Sequence, residues 1–109
     1  MREPTYFILA ALQDEPLHGY AIVTRAGELS DGRVRLATGT LYSALDRLTG
    51  EGLVESVREE VVNGRARRYY ALTPAGRAAL LAEAAVMSAA VAVVTGHRAV
   101  VPRPAEGLA

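Results

Sequence analysis

The chain has 109 residues, half of them hydrophobic, which is enough for one domain with a modest core and excludes a chain disordered throughout. Twelve basic residues balance twelve acidic ones, which argues against bulk electrostatic attachment to nucleic acid while leaving room for a local basic patch. There is no cysteine, so disulfides and thiolate metal sites are excluded.

All twelve basic residues are arginine. Arginine suits bidentate contacts to phosphate and guanine, although such usage equally follows from genome composition. Met1-Arg2-Glu3-Pro4 opens directly into a helical pattern with no signal peptide, so a cytoplasmic protein is expected.

Pro4 to Leu12 reads as the first helix, apolar on more than one side; Phe7 is therefore expected to face a second subunit. Asp14-Glu15-Pro16 ends it. A second helix runs from Leu17 to about Glu28, with Tyr20 and Val23 spaced to share a face. His18 stands without a second histidine nearby, so a role at the helix start outweighs one as a metal ligand. A loop from Gly27 to Gly32 leads to Arg33-Val34-Arg35-Leu36, whose alternation suggests one small strand.

The third helix spans Thr38 to Leu48. Leu41, Leu45 and Leu48 recur at i, i+4 and i+7 and make a buried stripe. Thr40, Tyr42, Ser43 and Arg47 lie off it, and Thr38 is the expected N-cap. Gly50 and Gly52 close the helix; a left-handed Gly52 would bring Leu53 against Leu48.

Leu53 to Val62 and Arg67 to Leu72 read as strands joined through Asn63-Gly64, the strongest short hairpin signal. A two-residue turn pairs Val62 with Arg65, Glu60 with Arg67, Glu59 with Arg68 and Val57 with Tyr70. Leu53, Val57, Tyr70 and Leu72 would then form the core face. Arg67 and Arg68 would stand opposite acidic partners, leaving Arg65 at the tip as the first choice for a contact with DNA.

Thr73-Pro74 starts the last helix, with Thr as N-cap and Pro at the first helical position. Leu80, Ala84, Met87, Val91 and Val94 recur at helical spacing, and no residue from Ala84 to Gly96 is charged. Glu83 and His97-Arg98 bound this stretch. It is too short for a membrane span, so a second copy of the chain is the expected partner.

Three helices followed by a hairpin is the order of a winged helix-turn-helix, an α+β fold that is mainly helical. In such a fold the third helix enters the major groove and the hairpin reaches the backbone or minor groove beside it. The expected organisation is a DNA-binding winged helix over residues 1–73, a dimerisation helix over 74–98 and a disordered tail over 99–109.

Four motifs stand in order along the chain: Pro16-Leu17-His18-Gly19-Tyr20, then Gly39-Thr40-Leu41-Tyr42 with Leu45 and Leu48, then Glu51-Gly52-Leu53-Val54, then Arg68-Tyr69-Tyr70-Ala71-Leu72-Thr73-Pro74-Ala75-Gly76. By these motifs the chain, from about Phe7 to Leu81, resembles the PadR family of transcriptional regulators. The resemblance implies a homodimer of the short subfamily with a single C-terminal helix. It also implies a repressor of a pseudo-palindromic operator, relieved in some members by a small hydrophobic or phenolic effector. Ala37-Thr38 departs from the Ser-Pro pair of many members, and the absence of Trp removes the residue that sandwiches flat drugs in others.

The candidate DNA-binding residues are Thr38, Gly39, Thr40, Tyr42, Ser43, Arg47, Arg65, Arg67 and Arg68, with Arg33 and Arg35 as weaker candidates. The dimerisation residues are Phe7, Leu80, Ala84, Met87, Val91 and Val94. Tyr42 either packs beside the second helix or faces DNA. Arg47 reads a guanine or a phosphate, or else pairs with Glu51 at i,i+4. The alternative function is a winged-helix module for protein interaction. No cofactor, metal site or enzyme activity is expected: His18 and His97 lie far apart, and no glycine loop cradles a phosphate.

Overall fold

A computed structural model of the chain describes the backbone of residues 1–100 and the side chains of residues 1–96. The elements are α1 (Glu3–Ala11), β1 (Leu17–His18), α2 (Gly19–Leu29), α3 (Thr38–Gly50), β2 (Val54–Val62), β3 (Arg65–Leu72) and α4 (Pro74–Val100). The strands form one antiparallel sheet in the order β1-β3-β2. This is the winged-helix order expected from the sequence. Most of the tail expected over 99–109 lies outside the described residues.

The leucine stripe of α3 is the centre of the core. Leu41, Leu45 and Leu48 are buried together with Ile8, Leu9, Ile22, Val54 and Tyr70. Each such side chain contributes about 1.5–3 kcal/mol through burial. The end of α3 is closed as expected. Gly52 has φ +76°, the Leu53 amide donates to the Leu48 carbonyl at 2.9 Å, and the Gly52 amide donates to the Thr49 carbonyl at 3.0 Å.

The beginning of α3 differs from expectation. Ala37 is the N-cap residue, and no side chain caps the helix. Thr38 is the first helical residue, so its hydroxyl is not in the capping position. In contrast, His18 caps α2 by accepting the Ala21 amide on Nδ1 at 3.4 Å. Thr73 caps α4 by accepting the Gly76 amide at 2.9 Å.

Arg33 to Leu36 forms no strand. The chain leaves α2 through Asp31 and Gly32, both at positive φ, and the Ser30 hydroxyl accepts the Val34 amide at 2.9 Å. That side-chain bond satisfies the amide that a strand would have paired. Leu17 and His18 take the third place in the sheet instead, opposite Tyr70 and Tyr69.

The hairpin turn lies at Asn63 and Gly64, with φ of 52° and 76°. Val62 pairs with Arg65, Glu60 with Arg67 and Glu59 with Arg68, as the two-residue turn requires. A bulge between Ser56 and Arg58 then breaks the count, and Tyr70 faces Ser56 rather than Val57. One extra residue shifts every later residue to the opposite face. Val57 is consequently exposed, and Val54 fills the core position opposite Leu72.

The molecule measures 69 × 26 × 21 Å, because α4 projects beyond the body. The first turns of α4 are docked: Arg77 donates to the Gln13 carbonyl at 2.9 Å, and Leu80 is only 4% exposed. Leu80 therefore belongs to the core of its own domain and is not free for a dimer face. Beyond it Leu81, Val86, Met87, Val91, Val93 and Val94 are all exposed. The segment Pro74–Gly96 has 23 residues and contains an 18-residue stretch of mean hydropathy 2.0, so it is long and apolar enough to cross a membrane by length and composition. Yet the docked first turns leave residues 84–96, roughly 20 Å of helix at ~1.5 Å per residue against a hydrocarbon core of about 30 Å.

Candidate nucleic-acid interface

With Leu41, Leu45 and Leu48 turned inward, the 100° step of an α-helix sets the outer face of α3. Gly39, Ser43 and Asp46 occupy its centre and are exposed. Thr38 and Thr40 are exposed at the N-terminal end, where free backbone N–H groups and the positive end of the helix dipole favour an anion. Asp46 is a residue of this face that the sequence reading passed over. The signal was available: it lies one turn beyond Tyr42 and off the leucine stripe.

Tyr42 and Arg47 stand on opposite flanks. Arg47 turns toward α1, where it donates to the Thr5 hydroxyl at 3.0 Å and lies 3.8 Å from Glu51. The i,i+4 pairing with Glu51 is thus realised, and a second partner adds to it. Tyr42 turns toward α2 and the hairpin. Its ring packs against Gly19, yet the residue remains 42% exposed. Of the two alternatives for Tyr42, the structure shows packing beside α2, and it leaves part of the side chain exposed.

A groove of about 380 Å³ runs between α2, Tyr42 and the hairpin, and is lined by His18, Gly19, Tyr20, Asn63, Arg65, Arg67 and Arg68 among others. Arg68 is paired with Glu59 at 3.7 Å, as the register suggested. Hydrogen bonding to Tyr70 and then the Glu59 carboxylate raise its pKa. Arg67 behaves differently from expectation. Glu60 does not hold it, because that carboxylate accepts the Tyr69 hydroxyl at 2.8 Å and lies 3.9 Å from Arg58. Among the described residues Arg65 and Arg67 form no ion pair, so the basic groove carries two unpaired guanidinium groups rather than one.

The weaker candidates are engaged elsewhere. Arg33 pairs with Glu3, and Arg35 donates to the Gly32 carbonyl of its own loop at 3.1 Å. Tyr20, placed by spacing on the face of Val23, is 79% exposed and borders the groove. It lies 200° around α2 from the buried Ile22, which the helical step would have revealed.

Tyr69 of the wing is held between His18, the N-cap of α2, and Arg58 of the neighbouring strand. Tyr69 meets the His18 ring edge to face at 5.4 Å, and the Arg58 guanidinium lies 3.9 Å from the centre of the Tyr69 ring. The His18 pKa is lowered, first by burial and then by the charge of Arg67, with Glu60 opposing. A neutral imidazole is the form that can accept the Ala21 amide.

This geometry agrees with what the chain is similar to. A family model described as transcriptional regulator PadR-like matches residues 8–82. A transcriptional regulator of Mycobacterium tuberculosis is 51% identical over 73 residues, covering 67% of this chain and 64% of that protein. The crystal structure of Bacillus subtilis PadR in complex with operator DNA matches with a TM-score of 0.64 at 28% identity, over 72% of this chain and 46% of that one. A PadR-like transcription factor from Bacteroides fragilis matches with a TM-score of 0.70 at 29% identity, over 84% and 86%. The chain thus spans a little under two thirds of the mycobacterial relative and under half of the operator-bound protein. By the span of the family match and the shared winged helix, this chain belongs to the PadR-like family, a family of transcriptional regulators and not of enzymes.

Proposed function

We propose that the protein is a sequence-specific DNA-binding repressor that acts in the cytoplasm as a homodimer on a pseudo-palindromic operator. The observation that carries this is the convergence of Tyr42, Arg65 and Arg67 on one groove beside the exposed N-terminus of α3. A helix with exposed Thr38, Gly39, Thr40 and Ser43 enters the major groove, and the arginines of the wing meet the adjacent backbone. The Bacillus subtilis relative in complex with operator DNA supports a DNA partner for this chain. Arg47 and Arg68 are already partnered, so they contribute less than Arg65 and Arg67.

The dimer is supported by the exposed apolar surface of α4. Met87, Val91 and Val94 lie at i, i+4 and i+7, and another copy of the helix buries such a stripe. Ala84 continues the same row, and Phe7, half-buried on α1, borders it in this reading. A small hydrophobic or phenolic effector rests on the family resemblance alone.

The decisive experiment is selection of bound sequences from a random DNA pool, followed by anisotropy titration of the selected duplex at two salt concentrations. Binding that weakens with salt and prefers one sequence supports the repressor. The pairing of Arg68 with Glu59 and the zero net charge favour a second reading, a winged-helix module for protein interaction. Absence of binding to any duplex at low salt would support that reading instead.

A further inference from the structure

We propose that Gly19 is a positioning residue for recognition: its missing side chain forms the seat that holds Tyr42 at the groove. The inference rests on the DNA-binding reading above and adds to it a residue on a different helix from the one that enters the DNA.

Gly19 is the buried first residue of α2. Its φ is not positive, so the backbone makes no demand for glycine there. Space makes the demand. A Cβ at position 19 would lie 2.4 Å from the Tyr42 hydroxyl oxygen, 2.9 Å from Tyr42 Cζ and 3.4 Å from Leu41 Cδ2. The helical glycines Gly39 and Gly50, by contrast, have nothing within 4 Å of that position. The tyrosine ring therefore occupies volume that any other residue would fill.

The seat is itself fixed in place. His18 pairs with Tyr69 across the sheet, and its imidazole caps α2. Gly19 thus ties Tyr42 to the wing that carries Arg65 and Arg67, so the aromatic and the two cations reach the groove in a set relation. A ring held in one rotamer loses less conformational freedom on binding than a mobile one.

Alanine at position 19 would displace the phenol by about 1 Å to restore ordinary contact. The displaced atoms are the far end of a half-exposed side chain, so the fold is retained. The test is a cycle of Gly19→Ala, Tyr42→Ala and the double variant, each titrated against the selected duplex and a scrambled one, with circular dichroism melts to verify folding. Expected is a roughly tenfold loss for Gly19→Ala on the selected duplex, little change on the scrambled duplex, and no further loss when it is added to Tyr42→Ala. An undiminished affinity, an equal loss on both duplexes, or a full additional loss in the Tyr42→Ala background would overturn the proposal. In the free protein, nuclear Overhauser contacts between the Gly19 α protons and the Tyr42 ring are expected, and their absence would overturn the seat independently of DNA. Failure of the unmodified protein to bind any duplex would overturn the DNA reading itself, a result distinct from all of these.

Discussion

Gly76 lies so close to Leu53 that a Cβ on Gly76 would sit 1.9 Å from the Leu53 carbonyl oxygen. The same junction holds Thr73, whose hydroxyl donates to the Gly52 carbonyl at 2.6 Å and whose amide donates to the Leu53 carbonyl at 3.1 Å. The Thr73 hydroxyl and amide thus join the turn after α3 to the start of α4, and the atoms that a Gly76 Cβ would strike first are backbone.

Gly76→Ala is accordingly expected to destabilise the fold by about 2–3 kcal/mol or more, since the obstacle is backbone rather than a flexible tip. Thr73→Ala should cost about 1–2 kcal/mol through loss of the cap. Urea denaturation followed by circular dichroism checks both; a Gly76→Ala variant as stable as the parent would contradict the close approach.

The wing arginines should separate by their partners. Arg65→Ala and Arg67→Ala are each expected to weaken binding uniformly across DNA sequences and to reduce the salt slope by about 1. Arg68→Ala, whose guanidinium already faces Glu59, should change the slope less. Anisotropy titrations over a range of salt concentrations measure this.

His18 gives a pH dependence with a defined sign. Its folded pKa is below 6.5, so in the window beneath 6.5 the unfolded chain binds a proton that the folded one resists. Stability from this group is then complete above the unfolded pKa, falls as pH drops through the folded pKa, and levels off below it. His18→Asn retains a capping oxygen without titrating there and should flatten this dependence. Thermal melts between pH 5 and pH 8 would reveal it, and an identical profile in the variant would exclude the role.

The exposed stripe of α4 can be tested apart from DNA. Val91→Glu places a charge in the middle of the proposed helix–helix contact and should convert a dimer into a monomer while the winged helix stays folded. Light scattering at micromolar concentration distinguishes the two; a parent protein of 11.6 kDa in solution would argue against the dimer.

Features governed by neighbours along the chain were legible in the residues themselves. The leucine spacing of α3, the glycine closure at Gly52, the Asn63-Gly64 turn and the Thr73-Pro74 helix start all follow from short-range geometry and local hydrogen bonding. So did the pairing of Arg68 with Glu59, because a two-residue turn counts outward without ambiguity until something interrupts it. What interrupted it was the bulge at Ser56–Arg58. It left Val57 outside and Val54 inside, and no local propensity marks where a sheet must bend to meet a core. The alternation of Arg33–Leu36 suggests a small strand, but Leu17 and His18 supply the third strand, since an edge is won by whichever segment the helices bring alongside. Arg67 forms no ion pair because Tyr69 and Arg58 engage Glu60, a choice among neighbouring side chains of the hairpin that strand register alone does not decide. The glycine-lined seat of Tyr42 belongs to this second kind. Composition placed a tyrosine off the leucine face, but only the crossing of α2 over α3 decided that Gly19 would lie beneath it and the two unpaired arginines beside it.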